Sequence, residues 1–93
     1  MIEIVPTSGF RKAFKRRIRG NKALEARFRD RIAIFQNNPF DPRLRTHRLT
    51  GQLQGLWSFS IDYDVRVVFS FIEPNRALFV DMAPTTKFIN SLS

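Results

Sequence analysis

The hydrophobic period of this chain changes once, from helical to alternating, and that change limits the fold more than any other feature. In residues 9–19, Phe10, Phe14 and Ile18 recur at i, i+4 and i+8, which is one stripe of a helix. In residues 22–36, Leu24, Phe28, Ile32 and Phe35 make a second stripe, with Ala23, Ala26 and Ala33 expected to allow close approach. From residue 57 to residue 71 every second side chain is apolar or aromatic. Trp57, Phe59 and Ile61 oppose Ser58 and Ser60, and Val65, Val67, Phe69 and Phe71 share one face of the next segment. Striped helices and one-faced strands must bury those surfaces against each other, so the layers are a sheet and a helical pair.

Turn residues divide the pattern. Residues 2–5 favour an opening strand stopped by Pro6, and Thr7 and Ser8 are good caps for the first helix. Gly20-Asn21 ends that helix and starts the next, and two helices joined so closely are expected to pack as an antiparallel hairpin. Asn37-Asn38-Pro39 closes the second helix and Asp41-Pro42 marks a loop. Residues 44–49 read as a strand ended by Thr50-Gly51, and residues 77–82 as the last strand, after a Glu73-Pro74-Asn75 hairpin turn. Successive short connections imply an antiparallel meander. The expectation is one α+β domain over residues 1–93, a twisted antiparallel sheet with the helical hairpin on one face.

Ten Phe, one Trp and one Tyr in 93 residues supply core bulk enough to fold without metal or disulfide. The absence of Cys removes thiol chemistry, disulfides and Cys-based zinc sites, and a lone histidine offers too few metal ligands, so no cofactor and no metal are expected. No apolar run approaches the roughly 20 residues of a membrane span. The first residues lack the basic start and apolar stretch of a signal peptide, so a cytoplasmic protein without membrane contact is expected.

Charge is unevenly placed. Residues 1–48 carry thirteen of the sixteen Lys and Arg against four acids, whereas residues 49–93 carry three against four. A polyanion is therefore the first partner to consider: nucleic acid, a ribosome or an acidic protein. Arg11, Lys12, Lys15, Arg16, Arg17 and Arg19 run without an intervening acid. They are either a solvated face or a phosphate-binding one, and six single-strand phosphate contacts would give a salt slope of about −4. Arg43, Arg45 and Arg48 form a second patch beside His47.

His47 is the only histidine, and its ordinary pKa of about 6.5 suits proton transfer near neutrality. It is either such a group or a turn-packing side chain. Asp62 and Asp64 flank Tyr63 in a tight connection, as turn formers or as a carboxylate that orients His47 or acts as a base. Arg66 follows, placed either to hold a phosphate bidentately or to pair with a neighbouring Asp.

Three ordered segments carry a resemblance: His47-Arg48-Leu49-Thr50-Gly51, then Gly55-Leu56-Trp57-Ser58-Phe59-Ser60-Ile61, then Asp64-Val65-Arg66-Val67-Val68-Phe69. Together they resemble the core of RelE/ParE-superfamily toxins, nearest the YafQ-like branch, over about residues 1–82. The resemblance implies a β-α-α-β-β-β fold and a type II toxin, of the plasmid-stabilisation kind, held inactive in a hetero-oligomer by a cognate antitoxin. It implies entry into the ribosome and metal-free cleavage of mRNA. His47 and Asp64 match functional residues of that branch, and Arg66 matches an Arg that contacts the scissile phosphate. The C-terminal tail departs from the pattern: Thr85 stands where the family has a key His, Asp81 where an Arg is usual, and Ser60 where some members carry a further His. General acid–base catalysis contributes roughly 10²–10⁴-fold per well-placed group, so an attenuated nuclease is one expectation. The alternatives are a degenerate toxin fold that binds antitoxin or ribosome without cutting, and a ParE-like gyrase poison, since that branch lacks the catalytic His.

Overall fold

The computed structural model describes residues 1–51 and 55–84. Its elements run β1 (Glu3–Pro6), α1 (Ser8–Arg17), α2 (Lys22–Asn37), a 3-10 turn (Pro42–Leu44), β2 (His47–Arg48), β3 (Trp57–Asp62), β4 (Val65–Glu73) and β5 (Arg76–Pro84). The sheet order is β1-β5-β4-β3-β2. The meander from β2 to β5 is antiparallel as expected, but β1 joins β5 in parallel, with Ile4 opposite Ala77 and Val5 opposite Leu78. The sheet is therefore mixed. The reason is topological: with both helices on one face, a chain leaving β1 through α1 and α2 returns to the sheet at its far side, and β5 then runs back alongside β1.

The first helix begins where Thr7 caps it. The Thr7 hydroxyl accepts from the Phe10 amide at 3.1 Å and donates to the Phe79 carbonyl at 2.9 Å, with the Val80 carbonyl at 3.2 Å. Val80 is the extra residue of a bulge, because Val68 faces Asp81 and the next residue, Phe69, faces Phe79. The same side chain thus starts α1 and ties it to β5. Lys15, Arg16 and Arg17 occupy its last turn, where the helix dipole favours positive charge. Asn21 caps α2 by accepting from the Leu24 amide at 3.1 Å, and Glu25 sits in the first turn.

The helices lie over the sheet, α1 on β5 and α2 on β3. They meet each other through long aromatic side chains, Phe14 against Phe28 at 5.0 Å and Phe10 against Phe28 at 6.2 Å. Ala23, Ala26 and Ala33, expected to mediate a close helix approach, are exposed instead. The small buried residue is Ala13 of α1. Below α2 the fully buried Phe35 ring stacks on Phe59 at 4.7 Å and meets Phe69 and Phe79 edge-on at 5.0 and 5.5 Å. Phe59, Phe69 and Phe79 come from three neighbouring strands, so the alternation in sequence does place one ring per strand under one helix.

The segment read as a strand over residues 44–49 is mostly something else. Asp41 caps the 3-10 turn, Arg45 adopts a left-handed conformation (φ 51, ψ 51), and only His47–Arg48 pair with β3. Pro42 and the Asp41 cap favour a turn, and Leu44 needs that turn to reach the core. Among the described residues no helix is long and apolar enough to cross a membrane.

Candidate functional site

The face of the sheet away from the helices carries a sparse apolar cluster, Leu49, Val68 and Ala83 with Leu56 packed on it. Ser58, Ser60, Arg66 and Asp81 share that face with it. Cross-strand pairing aligns His47, Ser58, Val68 and Asp81 in one row, and Ser60, Arg66 and Ala83 in the next. His47 is exposed, and its side chain has no hydrogen bond or ion pair with any described residue.

Arg66 is the centre of the second row and is almost wholly buried, 5% exposed. Its Nε donates to the Ser58 hydroxyl at 3.0 Å, and its Nη2 donates to the Arg45 carbonyl at 2.6 Å and the Ser58 carbonyl at 3.3 Å. No carboxylate pairs with it among the described residues, so neither neighbouring Asp takes the role of counter-ion. Burial pushes the Arg66 guanidinium below its ordinary value, and the nearby positive charge of Arg45 adds to the effect. Three protein acceptors already occupy Nε and Nη2, leaving Nη1 alone without a described partner. A bidentate phosphate clamp, which uses two nitrogens, is not open to Arg66 in this geometry.

Asp64 lies in the two-residue turn between β3 and β4 and is exposed. His47 is level with Ser58, whereas Asp64 follows the end of β3, which separates them by roughly 13 Å along the strand. They do not bond to each other. The reading of Asp64 as the carboxylate that orients His47 therefore has no direct contact behind it.

The arginines divide into groups. Arg43 donates to Asp41 through Nε and Nη2, at 3.0 and 2.9 Å. That pairing holds the Asp41 carboxyl well down, at about 2, chiefly through the Arg43 side-chain bond. Arg48 lies over the Trp57 ring at 5.0 Å, a cation–π contact at the end of β2. Arg11, Lys12, Lys15, Arg16, Arg17 and Arg19 belong to the helical layer, on the other side of the sheet from His47. Arg11, Lys15 and Arg19 border an apolar groove formed by Pro6, Phe10, Phe14 and Phe28.

Because β2 covers only Trp57 and Ser58, the rest of β3 forms a free edge, and a recess of about 670 Å³ opens there. Arg27 and Arg31 reach it from α2, Arg43 and Arg45 from the 3-10 turn, Arg66 from β4, and Asp62 and Tyr63 from the end of β3. Arg27 and Arg31 were absent from the expected patches. Their i, i+4 spacing beside the apolar stripe of α2 is the signal that would have found them. Among the described residues no three His, Cys, Asp or Glu gather to hold a metal ion.

No family model and no curated protein matches this sequence. Solved structures do. A YoeB/ParE toxin from Agrobacterium tumefaciens superposes with a TM-score of 0.73 over 89% of this chain and 98% of its own, at 19% identity. YafQ from E. coli gives 0.69 over 96% and 99%, at 13% identity. The YoeB–YefM toxin–antitoxin heterotetramer from Staphylococcus aureus contains a chain matching at 0.71 over 89% and 95%, at 14% identity. The chain has the RelE/ParE-type toxin fold. Within this fold the row of His47 and Ser58 lies on the sheet face that the two helices leave open, and the arginine recess lies beside it at the β3 edge. Thr85, where the resemblance expects a His, lies outside the described residues.

Proposed function

We propose that this chain is the toxin of a type II toxin–antitoxin pair, acting in the cytoplasm as a metal-independent endoribonuclease on mRNA held in the ribosome. The observation that carries the proposal is His47. It is the only histidine of the chain, the side-chain type best suited to proton transfer, and its imidazole stands exposed on the open sheet face of a toxin fold. In this reading His47 takes the proton of a ribose 2′-OH. The resulting alkoxide attacks the adjacent phosphorus, the bond to the 5′ oxygen breaks, and that oxygen receives a proton. Asp64 is retained as the second titratable group, at the far end of the strand pair rather than as a partner of His47. Arg66 acts through others: it holds the backbone of Arg45 and Ser58, and Arg45 rather than Arg66 presents charge to a phosphate.

The cognate antitoxin is the proposed protein partner, since the S. aureus neighbour is part of such a complex. Its acidic segments would neutralise Arg11, Lys12, Lys15, Arg16, Arg17 and Arg19 by charge complementarity.

A second reading has its own support. Arg66 is occupied by protein acceptors, and the sequence has Thr85 where a proton-transferring His is expected. Both favour a toxin fold that binds ribosome or antitoxin without cutting. Inducible expression in a bacterial host separates the two, with growth and mRNA 5′ ends read beside a His47→Ala control. Arrest with in-frame cuts that vanish in the control establishes the nuclease. Normal growth, intact mRNA and accumulated folded protein establish the binding module, and a DNA-damage response with intact mRNA points to gyrase instead.

A further inference from the structure

The recess at the β3 edge has two properties that the proton-transfer chemistry does not use. The first is unbalanced charge, five arginines against the single lining carboxylate of Asp62. Of its five arginines, Arg43 is neutralised by Asp41, and Arg31 makes only a long 3.5 Å contact to the exposed Asp30. Arg27, Arg45 and Arg66 have no carboxylate partner among the described residues. The second is an aromatic ring at the rim: Tyr63 is 88% exposed, the first residue of a tight turn that needs no aromatic for its own conformation.

We infer that this recess is a nucleotide subsite, in which Arg27, Arg31 and Arg45 hold a phosphate and the Tyr63 ring stacks on the attached base. The volume, about 670 Å³, accommodates a nucleotide. The backbone is set for it. Arg45 sits in the left-handed region, rare for a side chain of its size, and the Arg66 bond to its carbonyl holds it there. Strain of this kind concentrates at ligand sites. The crowding of Arg45 on Arg66, which disfavours the charged guanidinium, is relieved when an anion enters. An acidic peptide would satisfy the arginines but make no use of the ring, whereas a nucleotide engages both. The subsite deepens the RNA reading above, yet its test measures binding and not cleavage.

The test is fluorescence anisotropy of the full chain with a labelled single-stranded RNA tetranucleotide, competed by a nucleoside monophosphate or by an oligoglutamate peptide. Arg27→Ala with Arg31→Ala is compared with Lys22→Ala with Arg29→Ala, which removes equal charge from the same helix outside the recess. The recess variant is expected to weaken RNA binding at least tenfold more than the control and to reduce the salt slope by about 1.4, two single-strand contacts. Tyr63→Leu is expected to weaken binding by about tenfold with the slope unchanged. Competition by the monophosphate identifies a free nucleotide as sufficient, and competition by unlabelled RNA alone identifies a chain phosphate as the source; either supports the subsite. Equal losses in recess and control variants overturn it while leaving RNA as the partner. Competition by oligoglutamate but not by nucleotide overturns it in favour of an acidic protein. No binding of RNA by the unaltered chain overturns it too, and the mRNA 5′-end assay then judges the nuclease reading on its own.

Discussion

The Arg66 guanidinium donates to the Arg45 carbonyl at 2.6 Å, joining a buried strand residue to the one left-handed non-glycine residue among those described. A cation that the family resemblance places on a phosphate is, in the folded protein, a strut between β4, β3 and the 3-10 turn.

Arg66→Lys is therefore expected to destabilise the fold. A lysine ammonium cannot reproduce the forked geometry that reaches Ser58 and Arg45 together. Hydrogen bonds from a charged donor are worth about 1.5–3 kcal/mol each, and the loss of at least one predicts about 2 kcal/mol in urea unfolding. A residue acting only on substrate phosphate would leave the urea midpoint unchanged.

His47→Gln should do the opposite. The side chain is exposed and has no described partner, so the unfolding midpoint should stay within about 0.5 kcal/mol of the unaltered protein. Cleavage of mRNA, where the unaltered chain supports it, should fall by roughly 10²–10⁴-fold.

Asp41→Asn tests the 3-10 turn through pH. The Asp41 carboxyl titrates at 3.8 in the free form and at about 2 when folded, so the folded state holds fewer protons in that interval. Its stabilising contribution is complete above the higher value and is lost as pH falls through the lower one. Thermal melts should show the Asn variant less stable at neutral pH and the two proteins converging as pH approaches 2. A gap that persists at the acid end would mean that the turn, and not the ionised pair, is what the substitution disturbs.

Phe35→Ala removes the ring that touches Phe59, Phe69 and Phe79 at once. Truncating a fully buried Phe costs about 3–5 kcal/mol, a large part of the stability of a domain this small. Near-ultraviolet circular dichroism at growth temperature should show loss of fixed aromatic packing. Retention of that signal would show that the core closes around the space.

The periodicities of Phe10, Phe14 and Ile18, and of Phe59, Phe69 and Phe71, were enough to place helices over a meander, because each element buries one face and local spacing defines that face. The parallel pairing of Ile4 with Ala77 was not visible, since it joins residues 73 positions apart and no local pattern encodes it. The exposed alanines of α2 show the same limit. A small residue permits close approach, but bulky Phe14 and Phe28 decided the spacing. At the site, His47 and the Arg43–Arg45 patch were legible as residue types, whereas the burial of Arg66 was not. Nothing in Val65-Arg66-Val67 tells a strand arginine bound for solvent from one bound for a carbonyl. Arg27 and Arg31 join the recess only once α2 lies across β3.

The position of β5 has a consequence for synthesis. It lies between β1 and β4, and α1 rests on it, so its residues complete three contacts that earlier parts of the chain cannot make among themselves. As the polypeptide emerges, Phe10 and Ala13 have no sheet to cover until residues 76–84 follow. Non-local pairing of this kind slows folding and demands nearly the whole domain at once. A nascent chain released before β5 would display the aromatic face of α1 to solvent, without an assembled open face on the sheet.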